Sequence, residues 1–187
     1  MKLPDLKFET NGPVAVVTLN DPETLNSISQ AMFSSLERAY HEIDTNDDIR
    51  VAIFTGAGRG FCSGVNLNET KFVGGPPRRP FLKPSDYWTH KIHAVTKPTI
   101  AAINGVAVGG GLAIALGCDI RIASTQARFS TRFSAIGMPV LDGVGSLLPR
   151  TIGLSKALEL LYTAEMISAE EAERIGLTSY TVPHEEL

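Results

Sequence analysis

The sequence has few of the residues that build disulfide frameworks or metal clusters. Cys62 and Cys118 are the only cysteines in 187 residues, and neither has the spacing of a metal ligand. We therefore expect no metal site and no disulfide framework, as is typical of a reducing compartment. Residues 1–8 resemble neither a secretory signal nor a transit peptide. The expected location is the cytoplasm.

Long apolar runs and an excess of one charge are also absent. No run reaches the roughly 18 apolar residues of a membrane-spanning helix, so we expect no membrane partner. The formal net charge is only −3, which gives no general attraction to nucleic acid. Hydrophobic residues make up 43% of the chain and charged residues 20%. This composition predicts one folded domain over residues 1–187.

The most informative stretch is an apolar strand followed by a glycine-rich helix start. Thr99–Ile103 reads as a buried strand, Asn104-Gly105 as a turn, and Gly109–Gly111 as the start of a helix that Gly117 ends. Glycines there allow a close backbone approach and leave N–H groups free at the positive end of the helix dipole. Such a site holds a phosphate or a developing oxyanion; tight helix packing is the alternative. No Gly-Lys-Ser/Thr motif follows these glycines, so the lysine that binds phosphate in a nucleoside triphosphatase is absent and that class of enzyme is disfavoured.

Strand and helix patterns alternate along the rest of the chain, as in an α/β protein. The periodicity predicts a hairpin at Asn11-Gly12, a helix capped by Ser27 or Ser29, a strand at 51–55 and a capping box from Ser168 to Glu171. A half-buried strand is expected over 119–124, with Ile120 and Ile122 inward and Arg121 and Ala123 outward.

Two further segments favour surface roles. Residues 72–88 contain a Gly/Pro-rich stretch with Arg78, Arg79 and Lys83, which predicts a basic flap or a solvated loop. His90 and His93 lie three apart on a predicted helix. With no third ligand near in sequence, ordinary surface histidines are the favoured interpretation over a metal pair.

Four segments, in order along the chain, share the pattern of one enzyme family. They are residues 21–27 (DPETLNS), 55–67 (TGAGRGFCSGVNL), 97–119 (KPTIAAINGVAVGGGLAIALGCD) and 167–176. The chain resembles the crotonase superfamily, the enoyl-CoA hydratase/isomerase group. Because the match is ordered and includes both glycine loops, it favours a functional role for the glycines over simple packing.

The resemblance implies an architecture and a substrate class. It implies an α/β fold of repeated ββα units, the crotonase-type spiral, assembled as a homotrimer or as a hexamer of two trimers. It implies an acyl-CoA thioester as substrate, with no cofactor other than that coenzyme A. Family members usually continue into further C-terminal helices, so the resemblance also implies that such a region is missing after Leu187.

The resemblance also places a site. In the family, two backbone N–H groups hold the thioester oxygen, and the matching positions are Val65 and Gly110. Backbone donors suit this task because they stabilise a developing oxyanion without reorganising. The residues implied to contact coenzyme A or the acyl group are Leu25, Ser63, Gly64, Asn66, Leu67, Gly109 and Phe133.

The chain departs from the family at the residues that move protons. Hydratases of the family use two glutamates, and the matching positions hold Ala113 and Phe133, neither of which can transfer a proton. Asp142 is the remaining candidate acid or base, with capping of a following helix as the alternative; Glu69 is a weaker candidate. We therefore expect an acyl-CoA-processing lyase or isomerase of fatty acid metabolism, with double-bond isomerisation as one reaction. A non-catalytic acyl-CoA-binding or scaffold protein is the alternative.

Overall fold

The computed structural model describes residues 3–69 and 88–187 of the chain. Apart from its last residue, the flap predicted over 72–88 lies outside the described residues. Of the predicted histidine pair, the side chain of His90 also lies outside them, while His93 ends a short helix.

The larger of two sheets has six strands in the order β1-β2-β3-β5-β7-β10. The predicted hairpin at Asn11-Gly12 is confirmed, because β1 and β2 pair antiparallel across it. All later strands pair in parallel. The strands are β1 (Leu6–Asn11), β2 (Val14–Leu19), β3 (Val51–Gly56), β5 (Thr99–Ile103), β7 (Ile120–Ser124) and β10 (Tyr180–Val182).

The smaller sheet has four short strands in the order β4-β6-β8-β9. They are β4 (Gly60–Cys62), β6 (Val106–Val108), β8 (Arg128–Ser130) and β9 (Ile167–Ser168). The chain passes from the larger to the smaller sheet three times, at β3-β4, β5-β6 and β7-β8. A helix follows each passage, so the predicted ββα repetition is present.

The six helices of the described residues are α1 (Gln30–Thr45), α2 (Trp88–His93), α3 (Gly110–Gly117), α4 (Val144–Ile152), α5 (Leu154–Thr163) and α6 (Ala169–Arg174). Every residue of α3 is buried, so this apolar helix forms the centre of the core. Ser29, not Ser27, caps α1: its hydroxyl accepts a hydrogen bond from the Met32 N–H at 3.0 Å. Half of the predicted capping box is confirmed: the Ser168 hydroxyl accepts from the Glu171 N–H at 3.2 Å, whereas the Glu171 carboxylate accepts from Arg174.

The predicted facing of β7 is wrong. Ala123 is fully buried, whereas Ile120 is 41% exposed. Because β7 lies between β5 and β10, its residues take the environment of their neighbours in register. Ala123 pairs with the fully buried Ile103 and therefore faces the core. Alternation in the sequence shows that a strand has two faces, but not which one is covered.

No helix in the described part of the chain is long and apolar enough to cross a membrane. Within the same residues, no group of three or more His, Cys, Asp or Glu side chains could hold a metal ion.

Candidate active site

Two glycine loops meet at one edge of the smaller sheet. β4 and β6 are parallel neighbours, so their following residues emerge side by side. A Cβ on Gly64 would lie 2.9 Å from the Val108 carbonyl oxygen and 3.3 Å from the Gly110 nitrogen. Gly64 also has φ +98, a backbone conformation that a residue with a side chain adopts only with strain. The structure thus brings Gly64, the residue before Val65, against Gly110 through a contact that only glycine fits.

A parallel bridge to Ile28 orients the Val65 N–H group. The Ile28 N–H donates to the Gly64 carbonyl at 2.7 Å, and the Asn66 N–H donates to the Ile28 carbonyl at 3.0 Å. In such a bridge the residue between the two bonded ones directs its N–H to the opposite side. Among residues 3–69 and 88–187, the Val65 N–H finds no acceptor.

The Gly110 N–H is free for a different reason. Gly110 is the first residue of α3, and the first N–H groups of a helix have no intrahelical partner. The neighbouring Gly109 N–H donates to the Ser130 carbonyl at 3.1 Å, but that of Gly110 has no acceptor in the described chain. Within residues 3–69 and 88–187, the adjacent loops therefore present two unpaired N–H groups, and that of Gly110 lies at the positive end of a buried helix.

The loop around Val65 is joined to the segment that precedes α1. The Ser63 N–H donates to the Leu25 carbonyl at 3.0 Å, and the Ser63 hydroxyl donates to the Thr24 carbonyl at 2.9 Å. The implied binding residues Leu25, Ser63, Gly64 and Asn66 are thus neighbours. Leu67, also implied, is 51% exposed at the end of this loop.

Glu69, the weaker catalytic candidate, has a structural contact. Its carboxylate accepts a hydrogen bond from the Gln30 N–H at 3.0 Å, at the first turn of α1. A carboxylate is favourable at a helix N-terminus, so Glu69 fastens the loop after Val65 to α1.

The segment after β8 lies beside Gly109 and is fixed to α5. The Thr131 carbonyl would be 3.7 Å from a Cβ on Gly109. The hydroxyl donors of this segment reach carbonyls in the last turn of α5 and at the residue that follows it, Ala164. These hydrogen bonds are Ser130 to Ala164 (2.9 Å), Thr131 to Leu160 (2.9 Å) and Ser134 to Tyr162 (3.1 Å).

Ala113 and Phe133, the two positions predicted to match the family's glutamates, are both apolar and buried. Ala113 is fully buried in α3, and Phe133 is 5% exposed within the hydrophobic core. Neither offers an ionisable atom to a substrate.

Asp142 is a buried carboxyl group at the start of α4. It is 8% exposed, and burial raises its pKa to about 6. The N-cap residue of α4 is Gly143, which directly follows Asp142. The capping role of Asp142 stays the alternative to the catalytic one. α4 packs against α3, whose first residue is Gly110.

Cys62 lies beside the two loops but is not a candidate nucleophile. It is fully buried, and burial raises the pKa of its thiol to about 12. Its Sγ accepts a hydrogen bond from the Gly64 N–H at 3.5 Å. At neutral pH it remains a thiol and packs in the core.

Sequence reasoning did not single out two buried asparagines next to the site, Asn26 and Asn104. The carboxamides of both donate to the Gly60 carbonyl, at 2.8 and 3.2 Å. A signal was present, since Asn26 follows a Pro-containing turn and asparagine tolerates left-handed backbone.

An open groove of about 430 Å³ on α1, lined by Ser34, Glu37, Arg38, His41 and Glu42, shares no residue with this site.

Known proteins share this pattern. The family model for enoyl-CoA hydratase/isomerase matches residues 9–187. The chain belongs to the enoyl-CoA hydratase/isomerase family. An (E)-benzylidenesuccinyl-CoA hydratase from Thauera aromatica is 43% identical to this family member over 187 residues, covering 94% of this chain and 68% of that protein.

Solved structures of enoyl-CoA hydratases and isomerases have the same fold as this chain. The crystal structure of an enoyl-CoA hydratase subunit from Geobacillus kaustophilus HTA426 matches with a TM-score of 0.92 at 33% identity, covering 100% of this chain and 72% of that one. A monofunctional enoyl-CoA isomerase from M. smegmatis matches with a TM-score of 0.80 at 38% identity, covering 98% and 79%. The expected crotonase-like α/β fold is confirmed. Enzymes of the family need no cofactor beyond the coenzyme A of their substrate.

Proposed function

We propose that this enoyl-CoA hydratase/isomerase family member converts an acyl-CoA thioester through an enolate whose oxygen is held by the Val65 and Gly110 N–H groups. The observation that carries the proposal is the close approach of Gly64 to the Gly110 nitrogen, which places in adjacent loops two N–H groups that have no acceptor among the described residues. When a thioester loses a proton next to its carbonyl, negative charge develops on the carbonyl oxygen. Fixed N–H donors stabilise that charge.

Asp142 is the group proposed to move the proton. With a pKa of about 6, its carboxylate is ionised at neutral pH yet basic enough to accept a proton. For double-bond isomerisation, the carboxylate removes a proton from one carbon, and the C–H electrons form the enolate. The resulting carboxylic acid returns the proton to another carbon of the same conjugated system. One proton leaves and one returns, so no water is consumed.

Isomerisation is favoured over hydration by the two positions that lack glutamate. Hydration needs one group to activate water and one to protonate carbon, and Ala113 and Phe133 supply neither. The chain is 38% identical to an enoyl-CoA isomerase and 43% identical to a hydratase, so sequence similarity alone does not favour isomerisation. The same two residues favour a second candidate, a protein that binds acyl-CoA without converting it.

The test is a calorimetric titration with a panel of saturated and enoyl-CoA thioesters, with free coenzyme A as control. Each mixture is then separated by chromatography with mass detection. A product of unchanged mass and altered retention supports isomerisation, whereas a product heavier by one water supports hydration. Binding without any product supports the non-catalytic candidate, and no binding contradicts both.

Gly110→Pro tests the oxyanion donors. Proline removes the N–H at the first helical position, where helices tolerate it. Loss of one such donor slows turnover by about 10²–10³-fold. Circular dichroism and thermal melting verify that the variant is folded. Undiminished turnover in a folded Gly110→Pro variant would contradict the assigned role of Gly110.

Assembly forms a further part of the proposal. We propose that residues 1–187 form one domain and associate as a homotrimer or a pair of trimers. Large exposed side chains, including Tyr162 at 74% and Leu154 at 63%, provide apolar contact surface. Light scattering on the purified protein measures the mass directly, and a monomer at high concentration would contradict this part.

A further inference from the structure

Asn26 is a fully buried polar residue whose carboxamide is saturated by the chain that leads into β4. Its Nδ2 donates to the Ala57, Gly60 and Phe61 carbonyls at 2.9, 2.8 and 3.2 Å. Its Oδ1 accepts from the Asp21 N–H at 2.9 Å. Asn26 has φ +58, a left-handed conformation that asparagine adopts more readily than most residues.

Asn104 holds the same loop from the β5-β6 turn. Its Nδ2 donates to the Gly58 and Gly60 carbonyls at 2.9 and 3.2 Å, and its Oδ1 accepts from the Gly56 N–H at 3.1 Å. The Gly60 carbonyl therefore accepts from both asparagines, and its two lone pairs are both engaged.

The loop between these asparagines has little freedom to shift. A Cβ on Gly105 would lie 2.1 Å from the Arg59 carbonyl oxygen, and one on Gly60 would lie 3.2 Å from the Leu25 Cβ. Backbone on one side and a side chain on the other thus confine residues 59 and 60. A change in the Asn26 carboxamide is therefore expected to shift β4, the strand that starts at Gly60.

The segment around Asn26 also holds the chain after β4. Leu25, directly before Asn26, accepts from the Ser63 N–H, and Ile28, two residues after it, bridges Gly64 and Asn66. Asn26 therefore lies at the centre of a segment that holds the chain both before and after β4. Val65 follows β4 by three residues, so the position of its N–H depends on this double attachment.

We propose that Asn26 is a positioning residue that fixes the Val65 N–H relative to the Gly110 N–H, with Asn104 as its counterpart at the Gly60 carbonyl. The inference rests on the proposed oxyanion function of those two groups. The role is positional because the Asn26 side chain is fully buried and its polar atoms are engaged by the protein.

Asn26→Asp is the informative variant. It preserves shape, tolerates the left-handed backbone and keeps the acceptor for the Asp21 N–H. It removes every donor to the three carbonyls and faces them with oxygen instead. The control is Asn46→Asp at the end of α1. There too the carboxamide both donates, to the Glu42 carboxylate at 3.0 Å, and accepts, from the Asp48 N–H at 3.0 Å.

The readout is selectivity for an enolate. Acetoacetyl-CoA ionises to an enolate with charge on its carbonyl oxygens, whereas butyryl-CoA has the same coenzyme and chain length but does not. We expect the wild-type protein to bind acetoacetyl-CoA more tightly than butyryl-CoA in mildly alkaline buffer. In Asn26→Asp this preference falls by about tenfold or more, because a displaced donor loses most of its effect. Butyryl-CoA affinity stays unchanged, as does the preference in Asn46→Asp.

The outcomes separate the two proposals. A folded Asn26→Asp variant that keeps the wild-type preference overturns the positioning role and leaves the proposed function intact. A wild-type protein with no preference overturns the oxyanion function and the positioning role together. If Asn26→Asp fails to fold by circular dichroism, Asn104→Asp takes its place in the same assay: a lost preference supports the inference and a retained one overturns it.

Discussion

Gly111 packs against the carbonyl group of Cys62 with no space for a side chain. A Cβ on Gly111 would lie 2.1 Å from the Cys62 oxygen and 2.8 Å from its carbonyl carbon. This contact seats the first turn of α3 on β4, the strand that leads to Val65. The third glycine of the run thus serves packing, while the second provides the candidate donor.

Gly111→Ala is therefore expected to be strongly destabilising. The neighbour is backbone and cannot move aside, so unfolding free energy should fall by about 2 kcal/mol or more. The matched control is Gly145→Ala, also at the second position of a helix, where the nearest atom is the flexible end of Val140 at 3.4 Å. Better helix propensity should make that variant neutral or more stable by up to about 1 kcal/mol. Urea denaturation measures both; equal effects would contradict the packing argument.

Asp142→Asn should stabilise the protein in a pH-dependent way. Burial raises the pKa of Asp142 to about 6, so the folded state disfavours the carboxylate. That cost is absent below the ordinary aspartate pKa and fully present above about pH 6. Between about pH 4.5 and 7.5, the stability gained from Asp142→Asn should grow by about 2 kcal/mol.

Urea denaturation of wild type and variant at the two pH values measures this growth. Asp47→Asn alters an exposed carboxylate at the end of α1 and is the control. A gain that is equal at both pH values would mean that burial does not govern the Asp142 carboxyl.

The proposed catalytic role of Asp142 gives a separate pH dependence. If its carboxylate begins the reaction as a base, kcat/KM should rise with pH through about 6 and then level off. Asp142→Asn should abolish the rise together with turnover, while leaving binding of butyryl-CoA intact. Turnover that survives in Asp142→Asn with the same pH profile would place the base elsewhere.

Thr131→Val probes the attachment of the segment beside Gly109. The Thr131 hydroxyl is buried and donates to the Leu160 carbonyl at 2.9 Å. Valine keeps the shape and removes the donor, and the Leu160 carbonyl still accepts from the Ala164 N–H. The expected loss of unfolding free energy is about 1 kcal/mol.

Thermal melting with a van't Hoff analysis measures this loss. Thr45→Val, which removes an exposed hydroxyl at the end of α1, is the control and should have a smaller effect. A larger loss in the control would show that the α5 attachment contributes little.

Several elements could be predicted because their signals are local. Asn11-Gly12 favours the backbone of a tight hairpin, and a hydroxyl at Ser29 or Ser168 satisfies N–H groups two or three residues away. The resemblance to the family implies that the two glycine loops share one site, and the structure does bring Gly64 to Gly110. By contrast, the inward face of β7 was misjudged, because sheet order and not alternation decides which face is covered.

The sequence by itself determined the local elements and the family pattern, since backbone preferences and capping act over a few neighbouring residues. Only the tertiary structure decided that Asn26 and Asn104 share the Gly60 carbonyl, across separations of 34 and 44 residues. It also decided that Asp142 is buried with a raised pKa. Such contacts depend on how distant segments of the chain pack against one another. Burial results from that packing, and it decides which hydrogen-bond partners a polar group finds and what a charge costs.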